Sequence, residues 1–459
     1  MTELLTELRD RPEVLILGFG KEGQSTYRYI LKKFPGVSVG IADMNPELED
    51  LYKEEFPRGE AKLYLGNTYL EALGFYPLII KSPGVSIPGR ISPEIQGRIT
   101  TQTRLFLRAY SRQVIGVTGT KGKSTTSSLI HHLIKESGRN TVLVGNIGLP
   151  PFDYIEEITD DTLIVFELSS HQLEDTTHAP FISVLLNLYP EHLDRYDSLR
   201  AYYDAKMKII TGQEKGDVFI YNEDVPEIGH RISEMRLPRK YLSFSSGIHV
   251  TNGAFLAGDQ ICLSEEGRNM PLTEISPEFY LRGKHNRMNM MAAILAARAA
   301  GIHDSSVLKG LATFKGLEHR LEYVGNFREI DFFNDSIATI PEAAMAAVRS
   351  LPETDTMILG GFDRNLEYFA LIDFLAESSV RNFIFLGKAG LRMHDLFKMK
   401  EDHKKKFFVV KNLEEAFEII PQVTEPGKIC LLSPAAASYD IFRNFEERGS
   451  IFKKLARGL

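Results

Sequence analysis

The chain has 459 residues, 43% hydrophobic and 25% charged, with a formal net charge of −7, so it offers no basic bias toward nucleic acid. That length sets a prior of about three domains, each large enough for its own core. Cys262 and Cys430 lie far apart without metal-type spacing, as expected in a reducing cytoplasm. No apolar run approaches the ~20 residues that cross a bilayer. The opening MTELLTELRDRPEV has early acids and no long apolar core, so no signal peptide is expected.

Short apolar runs without internal alternation are separated by amphipathic stretches, which predicts an α/β protein of parallel strands covered by helices. Domain boundaries are expected at 1–111, 112–316 and 317–459. In the first domain, Val14–Leu17 runs into Gly18-Phe19-Gly20-Lys21-Glu22-Gly23. The run Val37–Ala42 then ends at Asp43, and Leu78-Ile79-Ile80 precedes Lys81-Ser82-Pro83-Gly84. Gly18, Gly20 and Gly23 after a strand, with Asp43 further on, fit a dinucleotide fingerprint. Alone, that unit predicts an NAD-dependent oxidoreductase.

The second domain opens with the apolar run Val114–Val117 and the loop Thr118-Gly119-Thr120-Lys121-Gly122-Lys123-Ser124. The common phosphate loop has a glycine five residues before its Gly-Lys pair, where this chain has Val117. A strand, a glycine-rich turn and a helix nevertheless aim backbone N–H groups at phosphate, and Leu129, Ile130, Leu133 and Ile134 recur at helical spacing. Lys123 is placed to neutralise phosphate charge and Ser124 to ligate Mg²⁺. An ordinary strand-turn-helix link is the bland alternative. Strands are expected at Thr141–Val144, Leu163–Phe166 and Val184–Leu188, a β-rich excursion at 244–273, and an Ala-rich helix over Asn286–Ala300 closed by Gly301. Glu167 ends an apolar strand where a carboxylate has little structural excuse, so it is assigned to Mg²⁺. The third domain carries the runs Met357–Leu359, Phe383–Leu386 and Ile429–Leu432.

The loop Thr118–Ser124 resembles the ATP loop of the Mur ligase and folylpolyglutamate synthetase superfamily. Further along stand Gly145–Pro150, Phe166–Glu174, Asn187–Tyr196, Gly283–Asn289, Glu318-His319-Arg320, Asn334-Asp335-Ser336, Leu432–Ser438 and Asn444–Gly449. Together these resemble the glutamate-adding branch of the Mur ligase family, from about residue 14 to the C-terminus.

The resemblance implies three domains: an N-terminal Rossmann-like UDP-binding unit, a central P-loop-type ATPase domain and a C-terminal Rossmann-like α/β domain that closes onto the nucleotide. UDP, rather than NAD, would then lie by Gly18, Gly20, Gly23, Asp43 and Ser82, with Asn146 reaching the sugar-peptide part. ATP would contact Gly119, Thr120, Lys121, Gly122, Lys123, Ser124, Thr125, Asn286, Asn289, Arg320 and Asp335. Two Mg²⁺ ions would be held by Ser124, Glu167, His192 and Lys206, the last carrying a CO₂-derived carbamate. Thr339, Arg364, Ser438 and Phe445 would take glutamate. Lys123, His192 and Lys206 would serve catalysis.

The implied reaction phosphorylates the alanyl carboxylate of UDP-N-acetylmuramoyl-L-alanine with ATP, and the glutamate amine displaces phosphate, in peptidoglycan precursor synthesis. A cytoplasmic monomer without nucleic-acid or membrane partners is expected. Some readings stay open: Lys208 is no less plausible than Lys206 by composition, Asn286 suits an N-cap, and Ser438 and Phe445 suit packing. Where the family has Asn-Asp-Ser-Lys-Ala-Thr, this chain has Asn334-Asp335-Ser336-Ile337-Ala338-Thr339. Loss of that lysine leaves D-glutamate as the main reading and L-glutamate as the alternative. A non-catalytic nucleotide-binding protein is disfavoured because Lys123, Glu167 and His192 occur together.

Overall fold

The computed structural model describes residues 5–9, 12–87, 89, 91–191, 195–235, 240–247, 249–276, 279–281, 283–400 and 405–459. Contacts divide the chain into two compact units, Met1–Ile275 with Arg287–Leu311, and Ser276–Asn286 with Ala312–Leu459.

The first unit contains two sheets. One is built from β1 (Glu13–Leu17), β2 (Ser38–Asp43), β3 (Lys62–Leu65), β4 (Ile79–Lys81) and β5 (Ile99–Thr100), in the order β3-β2-β1-β4-β5, with every pair parallel. Strand β1 is apolar without alternation because it feeds two cores. Val14 and Ile16 pack into one cluster, and Leu15 and Leu17 into another. The connection after β1 runs to β2 on one side, whereas that after its other neighbour β4 runs to β5 on the opposite side. The carboxyl end of β1 is therefore the switch point where a crevice opens, and the glycine turn 18–23 lies there.

The other sheet comprises β6 (Val114–Thr118), β7 (Thr141–Gly145), β8 (Leu163–Glu167), β9 (Ile182–Leu185), β10 (Val218–Asn222), β11 (Lys240–Ser245), β12 (Gly253–Ala257), β13 (Gln260–Glu265) and β14 (Arg268–Glu274). Its order is β14-β13-β12-β11-β10-β9-β6-β8-β7. Pairs from β7 to β12 are parallel, and β12-β13-β14 is an antiparallel meander, which accounts for the expected β-rich excursion. Strand β9 ends at Leu185 rather than Leu188. The chain there is diverted toward the loop after β6: Thr120 N–H donates to the Asn187 carbonyl at 3.1 Å, and Lys121 N–H to Asn187 Oδ1 at 2.8 Å. The Ala-rich helix spans Lys284–Ala299, so Asn286 lies inside its first turn and the N-cap reading is set aside. Gly301, at φ +81°, follows its end as expected.

The second unit holds β15 (Glu322–Phe327), β16 (Ile330–Asn334), β17 (Thr354–Gly360), β18 (Asn382–Leu386), β19 (Lys406–Val410) and β20 (Ile429–Leu432), ordered β15-β16-β20-β17-β18-β19. Only the β15-β16 pair is antiparallel. All seven residues of β17 are buried, with Met357 and Leu359 facing one core and Ile358 the other. Strands β16, β20 and β17 are adjacent and parallel, so the loops after Asn334, Leu432 and Gly360 emerge at one end of the sheet. Among the described residues no helix is long and apolar enough to cross a membrane.

Candidate active site

In the first unit a cleft of about 600 Å³ is lined by Gly18, Gly20, Asp43 and Ser82 from the first sheet, and by Lys123, Asn146 and Lys206 from the second. Gly18 turns the chain at φ +88°. Ser82 binds back to it from the neighbouring strand, Oγ donating to the Gly18 carbonyl at 2.8 Å. Both Asp43 oxygens are engaged, accepting from Phe19 N–H at 2.8 Å and Asn45 N–H at 2.9 Å. Asp43 thus shapes the glycine turn while lining the cleft. Gly23 is not among the cleft-lining residues. A Cβ there would sit 2.2 Å from the Gly18 carbonyl, so its lack of a side chain lets the helix Lys21–Lys33 close under the turn. A Cβ on Gly18 would lie 2.5 Å from Val85 Cγ2 in a backbone region hostile to L side chains. Gly18→Ala is expected to cost about 1–3 kcal/mol, read as a lowered thermal midpoint by circular dichroism.

Between β6 and the helix Lys123–Glu136 the loop turns at Gly119 (φ +152°) and Gly122 (φ +86°). Val117 stands inside β6, and Gly119 makes the turn instead. A Cβ on Gly122 would fall 2.5 Å from Asn289 Oδ1, so Asn289 packs on the loop. Asn286 and Asn289 are both buried. Thr120 Oγ1 anchors the turn to Tyr189 and Tyr202, and Lys121 pairs with Glu191. Lys123 Nζ donates to the carbonyls of Gly119 at 2.9 Å and Thr120 at 3.0 Å. Ser124 is half-buried and Thr125 buried in the first helical turn.

The helix Leu199–Met207, N-capped by Ser198, places Tyr202 and Lys206 one turn apart on one face. Lys206 is buried, its Nζ donating to the Gly119 carbonyl at 3.0 Å and standing 4.8 Å from the Tyr202 ring centroid. Burial, aided by the like charge of Lys123, pulls its pKa down to about 7. Lys208 instead donates to the Glu174 carbonyl. Position, which composition could not supply, separates the two lysines.

Glu167 ends β8 fully buried. Its Oε1 accepts from Asn146 Nδ2 at 2.9 Å, and its Oε2 has no hydrogen-bond partner among the described residues. A buried carboxylate oxygen left over at a strand's carboxyl end is what a hard cation needs, so Glu167 and the neighbouring loop's Ser124 fit Mg²⁺. His192 lies outside the described residues.

Glu22 and Gln172 escaped the sequence reading, and both line the cleft. Glu22 occupies a spacer position of the glycine pattern, but burial raises its pKa to about 7, and its Oε1 accepts from Gln172 Nε2 at 2.7 Å. The signal was the capping box Ser169-x-x-Gln172, which fixes Gln172 through its own Oε1.

In the second unit Asp335 is buried after β16, held by Leu321 N–H at 3.1 Å and Ser433 Oγ at 2.8 Å, with burial raising its pKa to about 7. Arg320 is exposed and attracts it electrostatically. Arg364, also exposed, donates through Nη2 to the Thr339 carbonyl at 3.0 Å. Ser438 is buried after β20, and the half-buried Phe445 opens the helix Phe445–Arg457, its ring 6.0 Å from that of His319. Ile337 donates its N–H to the His319 carbonyl at 3.1 Å.

A glycine-rich loop of phosphate-binding type beside a Rossmann-type turn, followed by a third, largely parallel sheet, defines an ATP-dependent α/β ligase. Residues 117–297 match the Mur ligase middle domain. A UDP-N-acetylmuramoylalanine–D-glutamate ligase of Desulfitobacterium hafniense is 34% identical over 97% of this chain and 98% of its own length. One of Pelotomaculum thermopropionicum is 33% identical over 98% of each. The fold is similar to that of UDP-N-acetylmuramate-alanine ligase MurC from Thermotoga maritima, with TM-score 0.59 at 17% identity over 97% and 99% of the chains. It is also similar to MurF ligase from Thermotoga maritima in complex with ADP, with TM-score 0.56 at 16% identity over the whole of both chains. The chain belongs to the Mur ligase family of amide-bond-forming ligases.

Proposed function

We propose that this chain joins D-glutamate to UDP-N-acetylmuramoyl-L-alanine at the expense of ATP. The observation that carries the reading is the single cleft in which the Rossmann-type turn faces Lys123 and Lys206. A nucleotide-sugar acid seated on the turn would present its carboxyl end toward the phosphate loop.

Lys123 and the loop N–H groups hold the ATP phosphates and offset charge as the γ-phosphoryl moves to the alanyl carboxylate. The acyl phosphate so formed has phosphate as its leaving group, and the amine of glutamate displaces it. Mg²⁺ would be held by Ser124 and Glu167, with His192 and carbamylated Lys206, and would supply charge neutralisation on the phosphoryl oxygens. The pKa of Lys206, near 7, supports carbamate formation, which needs a neutral amine. The unit bearing Thr339, Arg364, Ser438 and Phe445 takes glutamate, and Arg364 offers a guanidinium to a carboxylate. The relatives bear a D-glutamate ligase name, which favours the D-enantiomer despite Ile337. A nucleotide-sugar substrate and ATP place the reaction in the cytoplasm. The oxidoreductase reading of the glycine turn is set aside, because the family is one of ligases.

The test is phosphate release from ATP with Mg²⁺ and UDP-N-acetylmuramoyl-L-alanine, with D-glutamate in one tube and L-glutamate in another. Release with D-glutamate alone is expected. Release with L-glutamate alone would overturn the stereochemistry and turn attention to the loop around Ile337. Silence in both would overturn the substrate.

A further inference from the structure

Arg448, on the helix Phe445–Arg457, is fully buried. Its guanidinium reaches three loops. Nε donates to Ser336 Oγ at 2.9 Å and Nη2 to the Ser336 carbonyl at 2.7 Å, in the loop after β16. Nη1 donates to the carbonyls of Ala436 at 3.1 Å and Ala437 at 3.2 Å, in the loop after β20, and to that of Gly360 at 3.5 Å, ending β17. Every acceptor is neutral, and Asp440 supplies only Coulombic attraction. Burial lowers the pKa of Arg448 to about 10, so it remains a cation at neutral pH.

A buried guanidinium that contacts no carboxylate is a costly way to fill space, since apolar side chains pack a core as well or better. What arginine adds is a planar fork of five N–H donors that fixes several acceptors at once. The surroundings are built to admit it. A Cβ on Gly361 would lie 3.0 Å from Nη1 and 2.2 Å from the Ala437 carbonyl. Gly360 N–H donates to the Pro434 carbonyl at 2.8 Å and Phe362 N–H to that of Ala437 at 2.8 Å, so two of the loops already touch where the guanidinium joins them. Ser336 Oγ passes the link on to the Phe445 carbonyl at 2.8 Å.

These segments lead directly to Thr339, Arg364, Ser438 and Phe445. We propose that Arg448 is the positioning residue that sets the mutual spacing of these four groups, so that it governs recognition of the amino-acid acceptor without touching it; this rests on the glutamate subsite proposed above. Asp335, next to Ser336, has its own anchors in Leu321, Leu432 and Ser433. Loosening Arg448 should therefore spare the nucleotide side of the reaction.

The test compares wild-type enzyme, Arg448→Lys and Ser336→Ala, using the glutamate enantiomer that the wild type accepts. A lysine keeps the charge but cannot span the three loops. For R448K, kcat/KM for glutamate should fall about 10²-fold, while KM for ATP and for UDP-N-acetylmuramoyl-L-alanine stays within about twofold. S336A removes the bond from Arg448 Nε and the link to the Phe445 carbonyl, leaves the other guanidinium contacts, and should lower the same constant about tenfold. If R448K does not fold, S336A decides alone. A folded R448K with wild-type kinetics, or with all three substrates affected alike, overturns the proposal and leaves the glutamate reading standing. Wild-type enzyme that turns over without needing glutamate overturns both.

Discussion

Replacing Lys123 by alanine is expected to reduce substrate-dependent phosphate release about 10³-fold or more while the fold persists. Lys123 is the half-buried cation at the start of the helix Lys123–Glu136 and lines the cleft. Its Nζ donates to the Gly119 and Thr120 carbonyls, so the ammonium is held within the loop proposed to receive phosphate. The stability lost with those two hydrogen bonds is about 1 kcal/mol each. That is offset in part by relief of repulsion against Lys206, and the thermal midpoint should move by less than about 4 °C. The activity loss has a second contribution. The charge of Lys123 helps to depress the pKa of Lys206, so its removal lets that pKa climb and leaves less neutral amine at pH 7. Phosphate release and a circular-dichroism melt on the same sample decide the matter. Turnover within about tenfold of wild type would remove the loop role assigned to Lys123.

The strand positions of the parallel sheets were legible because strands buried on both faces are written as unbroken apolar runs, as in Val14–Leu17 and Met357–Leu359. Not every strand at a margin was: β7 was, but β15 reads Glu322-Tyr323-Val324-Gly325-Asn326-Phe327, and a half-exposed edge that carries polar residues loses the signal. Strand β9 was overextended because Leu186 and Leu188 are as apolar as the strand itself, and only the pairing of Asn187 with the phosphate loop ends it.

The candidate site was legible where its proposed chemistry sits in a short motif, as at Gly119–Ser124, or where a residue type is out of place, as with Glu167 after Phe166. Groups that act across sequence distance were hidden. Glu22 looked like a spacer until Gln172 and burial gave it a role. Arg448 stood in the block Asn444–Gly449 without a role until its five acceptors, from Ser336 to Ala437, were in place. No spacing rule joins residues 88 to 112 positions apart along the chain.

Glu167→Gln should separate function from stability. The carboxylate is fully buried, with Oε1 taking the Asn146 amide at 2.9 Å and Oε2 without a hydrogen-bond partner among the described residues. An under-solvated buried charge costs several kcal/mol. The glutamine amide keeps the shape and the bond from Asn146, but leaves an NH₂ unsatisfied at about 1–3 kcal/mol. The balance favours the variant, so its thermal midpoint should equal or exceed that of the wild type. Activity should move the other way. An amide is a poor ligand for a hard dication, so turnover should fall about 10²-fold or more, and the Mg²⁺ concentration giving half-maximal rate should rise. A purely structural carboxylate predicts the reverse pattern: a lower melting point with kinetics and Mg²⁺ dependence intact. A stable, inactive E167Q whose rate partly recovers at high Mg²⁺ would mark Glu167 as a carboxylate kept for the metal at the expense of the fold.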